Sequence, residues 1–360
     1  MSINGKKTVW VLGAGFSRSL GGPLLADLFG PVPEADDLAY FPRESCGDLA
    51  RDLCVTRQVF KHGLNQKCWA NAEEFLAKVD EAFDERGRSW NILRRVVQES
   101  HSHLTQRPAD YLEDIQRTVR RTLAAESMRF ALDPNLEDER WLPYREWART
   151  LEPGLDTIVT FNYDTALECI SEREQGRMLT ALPTTVEEVA TRGRVPIYHL
   201  HGCAEWVVEG LAVTHVCIEE ALGGGREIAI GVPGPNKAGF AETRARPLWH
   251  AAEDALANAD NIAFVGYSFP RTDAMAHIRL LKAIRRDQST EARRYAHLVL
   301  GRDIHSDDQG RMVALIESCH GPRRRFVMHP ESTPTNAFVI RQHPLGAEDF
   351  LAHYSDILAP

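Results

Sequence analysis

Glycine, asparagine and histidine residues stand directly after several short apolar segments of the sequence, where predicted strands would end. Gly13 and Gly15 follow the first such segment, Asn162 follows a second and His201 a third. The carboxyl ends of parallel strands meet at one edge of a sheet, so we expect these residues to lie close together. Glycine turns admit phosphate close to the backbone, and an imidazole transfers protons near neutral pH. The pattern predicts a site that binds a phosphorylated ligand and moves a proton.

The first of these loops contains two of the three glycines of a dinucleotide-binding turn. Arg18 stands where the third glycine would be, and Leu28–Asp37 replaces the strand that would end in a ribose-binding acid about 20 residues on. An ordinary tight turn is the alternative for an isolated match of this kind. A second loop, Gly266-Tyr267-Ser268, repeats the arrangement later in the chain. The spacing therefore favours a dinucleotide held between two half-sites, and it disfavours hydride transfer.

Short strand-like segments alternate with helical patterns over much of the chain, which predicts an α/β fold with a Rossmann-like parallel sheet. The predicted strands are Thr8–Leu12, Thr157–Phe161, Val195–Leu200, Ile228–Val232, Asn261–Val265 and Ala296–Leu300. The predicted helices between and after them include Arg246–Ala259, Met275–Arg285 and Gln309–Ser318.

A long stretch near the amino terminus has few strand-like segments. It contains charged segments with a helical periodicity. These segments are Asn71–Phe83, Trp90–Leu104 and Ala109–Leu123. We therefore predict a helical insertion at residues 26–149. The Rossmann-like domain is expected at residues 1–25 and 150–360.

The composition disfavours a membrane-spanning, a secreted or a nucleic-acid-binding protein. The longest apolar runs are strand-sized and far short of a bilayer span, so no membrane segment is expected. Lys6 and Lys7 precede an apolar stretch, but no small-residue cleavage site follows, so we interpret it as a buried first strand. The seven cysteines include no Cys-x-x-Cys pair, which favours a reducing cytoplasm. The net charge of −9 disfavours direct binding of nucleic acid.

Several motifs in a fixed order resemble those of the sirtuin (silent information regulator) family, and they look most like its prokaryotic antiphage-defence branch. The motifs are Gly13-Ala14-Gly15-Phe16-Ser17 with Gly22-Pro23, Thr160-Phe161-Asn162-Tyr163-Asp164, His199-Leu200-His201-Gly202, and Gly266-Tyr267-Ser268 with Asp273. Within the predicted insertion, Asn71-Ala72-Glu73-Glu74-Phe75-Leu76 looks like a helical insertion of that branch.

Two departures separate the sequence from the family's protein deacylases. Those enzymes have a four-cysteine zinc module, whereas the stretch after His201 contains only Cys203 and Cys217. Phe161 also stands where they usually have a glutamine beside the catalytic asparagine. Both departures put acyl-peptide chemistry in doubt.

The resemblance implies NAD as the ligand, cleaved at its nicotinamide bond. That cleavage places positive charge on the ribose in the transition state, as glycoside cleavage does. Asn162 is expected to position water or the ribose, and His201 to act as a general base. Asp164 either contacts the nicotinamide end or braces its loop as an Asx turn. The expected catalytic residues are therefore Asn162, His201 and Asp164.

The expected NAD-binding residues lie in the two glycine loops and just beyond the second. Asp273 equally fits the N-cap of a helix. His199 lies two positions before His201, on the same face of a strand, so only one of them is expected to meet the substrate. The pair lacks a third ligand at a suitable spacing, and no metal is expected. The expected binding residues are Gly13, Ala14, Gly15, Phe16, Ser17, Gly266, Tyr267, Ser268 and Asp273.

These residues and the resemblance favour an NAD+ glycohydrolase that releases nicotinamide and ADP-ribose. The resemblance implies a toxic effector of antiphage defence that depletes cellular NAD. It also implies a homo-oligomer and a separately encoded activator, either a translocase-type (HerA-like) ATPase or an Argonaute-like sensor. One alternative is an NAD-dependent protein deacylase or ADP-ribosyltransferase. Another is a catalytically silent sensor of NAD or ADP-ribose.

Overall fold

A computed structural model describes most of the chain. The described residues are 5–30, 41, 49–82, 87–100, 108–132, 134–223, 225–234, 237–270, 273–286, 294–302, 306–318 and 338–357. Parts of three predicted segments, at residues 31–37, 83 and 101–104, lie outside these ranges. None of the helices in the described ranges is long and apolar enough to cross a membrane.

Strands and helices alternate along most of the chain. The strands are β1 (Thr8–Leu12), β2 (Asp156–Thr160), β3 (Met178–Thr180), β4 (Val195–His199), β5 (Gly202–Glu209), β6 (Ala212–His215), β7 (Ile228–Ile230), β8 (Asn261–Val265), β9 (Arg294–Val299) and β10 (Phe338–His343). The helices are α1 (Ala14–Ser17), α2 (Leu49–Asn65), α3 (Ala72–Glu81), α4 (Arg88–Ser100), α5 (Pro108–Met128), α6 (Leu142–Thr150), α7 (Ala166–Arg173), α8 (Val186–Thr191), α9 (Ile218–Leu222), α10 (Lys237–Thr243), α11 (Arg246–Ala257), α12 (Ala274–Arg286), α13 (Ser306–Ser318) and α14 (Ala347–Ile357). Short 3₁₀ turns cover Arg18–Leu20, Leu25–Asp27 and Arg129–Ala131.

The main sheet has seven parallel strands in the order β10-β9-β8-β1-β2-β4-β3. Helices cover both of its faces, and the fold is the predicted Rossmann-like α/β fold. The central strand β1 is buried along its whole length and pairs with β2 on one side and β8 on the other. A strand buried on both faces needs apolar residues at successive positions, and the Thr-Val-Trp-Val-Leu sequence of β1 provides them.

Successive side chains of β1 point to opposite faces of the sheet and therefore pack in two different hydrophobic cores. Val9 and Val11 pack in a core with residues of α11, α12 and α13. Trp10 and Leu12 pack on the opposite face with residues of α6, α7 and α14. The ring centroids of Trp10 and Trp147 of α6 lie 5.3 Å apart in an edge-to-face contact. The carboxyl end of β1 is thus held from both faces of the sheet.

Helices α2 to α5 lie between β1 and β2 and form a third core. Phe75, Leu93 and Leu123 pack there with Ile228 and Ile230 of β7. The helical character of this stretch agrees with the sequence pattern. The division of the chain at residues 26 and 149 stays a prediction.

One predicted strand belongs to a different sheet. The segment Ile228–Val232 was expected in the parallel sheet, but β7 pairs antiparallel with β5 in a three-stranded sheet of order β6-β5-β7. The chain turns at Gly202, which has a φ of +81°, directly from β4 into β5. A Cβ atom at Gly202 would lie 1.9 Å from the carbonyl oxygen of Ala229, so glycine allows the two strands to approach. The prediction was wrong because an apolar segment does not show whether its partner strand runs parallel or antiparallel to it.

Candidate active site

A cleft of about 140 Å³ lies at the carboxyl ends of β1, β2, β4 and β8. The chain leaves β1 toward β2 and β4 on one side and later returns to β8 on the other, so β1 marks the switch in strand order. Ligands of open α/β sheets bind in the crevice at this point. The predicted site residues that line the cleft are Gly13, Ala14, Ser17, Asn162, Asp164, His201, Tyr267 and Asp273.

The two glycine loops touch each other through their backbones. The N–H of Gly15 donates to the carbonyl oxygen of Gly266 at 3.1 Å, and the N–H of Gly13 donates to that of Val265 at 3.1 Å. A Cβ atom at Gly13 would lie 2.6 Å from the oxygen of Gly266. These glycines therefore have a packing role between the loops, whether or not they also meet a pyrophosphate. Direct contact of these loops with a ligand stays a prediction.

Four of the predicted binding residues, namely Gly15, Phe16, Gly266 and Ser268, are not among the residues that line the cleft. The ring of Phe16 is buried and packs edge-to-face against Tyr144, with 5.0 Å between the ring centroids. The carbonyl oxygen of Ser268 accepts a hydrogen bond from Arg311 at 2.8 Å. In this conformation these residues support the loops from behind the cleft.

A chain of hydrogen bonds joins Asn162, Ser17 and Asp164 across the ends of β1 and β2. The side-chain amide of Asn162 donates to Ser17 Oγ at 2.9 Å. Ser17 Oγ in turn donates to Asp164 Oδ2 at 3.0 Å. Asp164 Oδ1 accepts from the backbone N–H of Ala166 at 3.1 Å, so this carboxylate also braces its loop. The arrangement fixes the direction in which the Asn162 amide points.

Burial raises the pKa of Asp164 to about 6, although hydrogen bonds from Ala166 and Ser17 act in the opposite direction. The side chain is therefore mainly ionised at pH 7 and takes up a proton just below pH 6. A buried carboxylate beside a cleft favours positive charge in that cleft.

His201 lies on the opposite wall from the Ser17 chain and is paired with Asp273. Its Nε2 atom is 3.2 Å from Asp273 Oδ2, and both side chains are buried. The hydroxyl of Tyr267 donates to the same carboxylate oxygen at 3.0 Å. Asp273 directly precedes α12, where the sequence equally suggested an N-cap. The structure places its carboxylate beside His201.

An aromatic stack lies beside His201 and includes Tyr267 of the second glycine loop. The rings of Phe161 and Tyr267 are parallel within 7° with centroids 4.0 Å apart. The ring of His201 contacts Phe161 edge-to-face at 4.6 Å. Nothing in the residue types predicts this stack, because it joins residues from the ends of two strands that are not adjacent in the sheet. The pairing of His201 with Asp273 could not be predicted from the sequence either, because the two residues follow different strands.

His199 and His201 have different surroundings. The strand β4 ends at His199, so the alternation expected over Val195–Leu200 does not continue to His201. His199 is fully buried and contacts the backbone of Asn162 and the side chain of Glu168. It is not among the residues that line the cleft.

Residues from the stretch between β1 and β2 form the outer wall of the cleft. Leu25 and Leu28 follow the first glycine loop, and Leu123 and Ser127 belong to α5. These residues could not be predicted from the sequence, because leucine and serine are common in helices and do not by themselves indicate a binding site. Their position places the predicted insertion directly over the candidate site.

No group of three or more histidine, cysteine, aspartate or glutamate residues suited to hold a metal ion occurs in the described part of the chain. Cys203 belongs to β5 and is buried in the core, whereas Cys217 is exposed.

The part of the chain from β2 onward matches a known family model. Residues 156–315 match the family model of the SIR2-like domain. The match begins at β2 and includes Asn162, His201, Gly266 and Asp273. It supports the sirtuin-like family and indicates an NAD-related enzymatic function, since SIR2-like domains use NAD. No curated protein matches the chain.

Proposed function

We propose that the protein is an NAD+ glycohydrolase, which hydrolyses NAD to nicotinamide and ADP-ribose. One observation carries this proposal. The amide of Asn162 and the imidazole of His201 line one cleft at the switch point of the sheet, and a buried carboxylate supports each of them. A SIR2-like domain over residues 156–315 supports NAD as the substrate.

The proposed chemistry replaces the nicotinamide nitrogen with a water oxygen at the anomeric carbon of the ribose. Positive charge develops on the ribose as the bond to nitrogen breaks. His201 takes a proton from the attacking water or from a ribose hydroxyl, and Asp273 stabilises the resulting imidazolium. Asn162 orients the water or the ribose without adding charge. The ionised carboxylate of Asp164 favours the cationic transition state.

The size of the cleft supports a regulated enzyme. Its volume of about 140 Å³ is below the roughly 300 to 1,000 Å³ of ligand pockets. We propose that the outer wall, which includes Leu28, Leu123 and Ser127, moves outward when NAD binds. We propose that a separately encoded partner or a change in homo-oligomer opens this wall. The biological role we propose is depletion of NAD in antiphage defence.

Incubation of the purified full-length protein with NAD is expected to release nicotinamide and ADP-ribose in equal amounts without any acyl-peptide. Liquid chromatography of the products measures both. The assay is run alone and with the product of the neighbouring open reading frame, because the proposed activator is separately encoded. Release that requires an acyl-peptide would instead support a deacylase. Binding of NAD without turnover in both assays would support a sensor.

The rate is expected to fall steeply below about pH 6. In that range Asp164 gains a proton, since its pKa is raised to about 6, and the protonated acid no longer accepts the hydroxyl of Ser17 as a carboxylate does. The imidazole of His201 must also be unprotonated to act as a base. A plot of log kcat against pH is therefore expected to bend downward near pH 6, with an acid-side slope to which the titration of Asp164 contributes about 1.

The Asp164→Asn variant tests the assignment of this slope. It is expected to have lower activity and an acid-side slope lower by about 1, because the asparagine amide takes up no proton. Asp156→Asn is the matched control, since burial also raises the pKa of Asp156 to about 6. Asp156 lies at the opposite end of β2 and accepts a hydrogen bond from Trp10. An unchanged slope in Asp164→Asn would remove Asp164 from the mechanism.

A further inference from the structure

The backbone of Asn162 is fixed by a side chain that does not itself reach the cleft. The N–H of Asn162 donates to Thr160 Oγ1 at 3.1 Å. Its carbonyl oxygen lies 3.1 Å from Nδ1 of His199. On either side, the N–H of Phe161 donates to Leu12 and the carbonyl of Tyr163 accepts from Ala204. The His199 ring therefore provides the contact to the carbonyl oxygen of Asn162, whereas backbone and Thr160 groups hold the rest of this segment.

The orientation of that ring depends on Glu168. His199 Nε2 lies 2.9 Å from Glu168 Oε1, and the hydroxyl of Thr180 donates to the same oxygen. His199 is fully buried, whereas the side chain of Glu168 is 26% exposed. Because Glu168 belongs to α7 and Thr180 to β3, the ring is held by elements that surround the end of β2.

The contacts of His199 determine its charge. A carbonyl oxygen only accepts hydrogen bonds, so Nδ1 must carry a proton to bind Asn162. If Nε2 lacked a proton, its lone pair would face a carboxylate oxygen of Glu168. Both contacts are favourable only when both nitrogens are protonated.

We propose that Glu168 and His199 form a positioning pair for catalysis, in which the charged imidazole holds the peptide of Asn162 and so aims its amide at the substrate. This role rests on the proposed cleavage of NAD. Without the charge, one of the two contacts of the ring is lost and the Asn162 carbonyl can lose its donor. A displacement of about 1 Å at a catalytic group is enough to cost roughly 10²-fold in rate.

The electrostatic surroundings agree with a charged ring. Burial by itself lowers the pKa of His199, but Glu168, the carbonyl of Asn162 and Asp164 outweigh it, and the pKa is raised. Glu168 faces the ring from α7, and Asp164 acts on it from the loop after β2. On the side of β5 the ring meets Trp206, with 5.6 Å between the ring centroids.

The Glu168→Gln variant separates the charge from the shape of the pair. The glutamine oxygen can accept from Thr180 and from Nε2 as the carboxylate does, so the side chains keep their places. The neutral ring then carries its only proton on Nε2, and Nδ1 no longer donates to the carbonyl oxygen of Asn162. We expect kcat for nicotinamide release to fall by about 10- to 100-fold, with KM for NAD changed less than about threefold. The deficit is expected to shrink as the pH falls from 8 to 6.5, because protonation of the ring restores both donors. A structural defect alone would not show this recovery.

Glu205→Gln is the matched control, because Glu205 forms a similar pair with His215 at 3.2 Å on β5 and β6. Its kcat and pH profile are expected to equal those of the wild type. Thr180→Val is a milder variant for the case that Glu168→Gln does not fold, and it should show a smaller kcat deficit with the same pH trend. Equal kcat in Glu168→Gln and Glu205→Gln would overturn the proposal.

A measurement without substrate distinguishes this proposal from the proposed function. In ¹⁵N-histidine-labelled wild-type protein at pH 7.5, NMR is expected to show protons on both ring nitrogens of His199, and in Glu168→Gln a proton on Nε2 only. A neutral His199 in the wild type would overturn the positioning pair whether or not the protein cleaves NAD. A charged His199 in a protein that never cleaves NAD would contradict the proposed function alone.

Discussion

The His201→Gln variant is expected to lose nearly all release of nicotinamide from NAD, with kcat lower by about 10²- to 10⁴-fold. Glutamine has a polar side chain of similar length but takes up no proton at neutral pH, so the variant removes the base. Glutamine is preferable to alanine here because the His201 ring packs against Phe161 and Trp249. Chromatography of the products and a thermal melt measure activity and folding on the same sample.

Three further variants test whether the loss of activity is specific to the proposed site. Asn162→Ala is expected to abolish turnover as well, because the amide that Ser17 orients is then missing. Asp273→Asn keeps the shape of the partner of His201 but not its charge, and we expect a smaller loss. His215→Gln is the control, since His215 lies on β6 and its side chain is 56% exposed. Unchanged rates in both His201→Gln and Asn162→Ala would remove the two residues from the mechanism.

The sequence predicts the centre of the main sheet well. The bounds of β1 and β8 agree residue for residue with the predicted segments, because a strand buried on both faces is a continuous apolar run between turn residues. It does not predict the three-stranded sheet of β5, β6 and β7. The run Ile228–Val232 looks the same whether its partner is parallel or antiparallel, and that choice depends on the turn at Gly202.

The candidate site was likewise predictable only in part from the sequence. Residues that directly follow neighbouring strands, such as Asn162 and His201, could be predicted to share one cleft, because the order of the strands dictates it. The contacts among side chains could not be predicted. Asp273 reaches His201 only because the Gly266 loop turns it there, and the Phe161–Tyr267 stack joins the ends of β2 and β8. Such pairs depend on distances between loops that local sequence does not encode.

The Gly266→Ala variant is expected to lose roughly 2 to 5 kcal/mol in the free energy of unfolding. Gly266 has a φ of +68°, a left-handed conformation that is unfavourable for alanine. Its new Cβ atom would also lie 2.2 Å from the backbone nitrogen of Phe16 and 2.3 Å from the carbonyl carbon of Gly15. Both are backbone atoms that cannot move without separating β1 from β8. Urea denaturation followed by circular dichroism measures the loss.

Two matched variants separate the backbone strain from the overlap. Gly154→Ala introduces strain alone, because Gly154 has a φ of +80° and no atom within 4 Å of its Cβ position, and it should cost about 1 to 2 kcal/mol. Gly13→Ala introduces overlap alone, with the oxygen of Gly266 at 2.6 Å. If the contact between the glycine loops holds the site together, Gly266→Ala must cost clearly more than Gly154→Ala, and Gly13→Ala must also destabilise the fold. Equal losses for Gly266→Ala and Gly154→Ala, with none for Gly13→Ala, would mean that the loops can move apart freely. Asp273 would then need another means of staying beside His201.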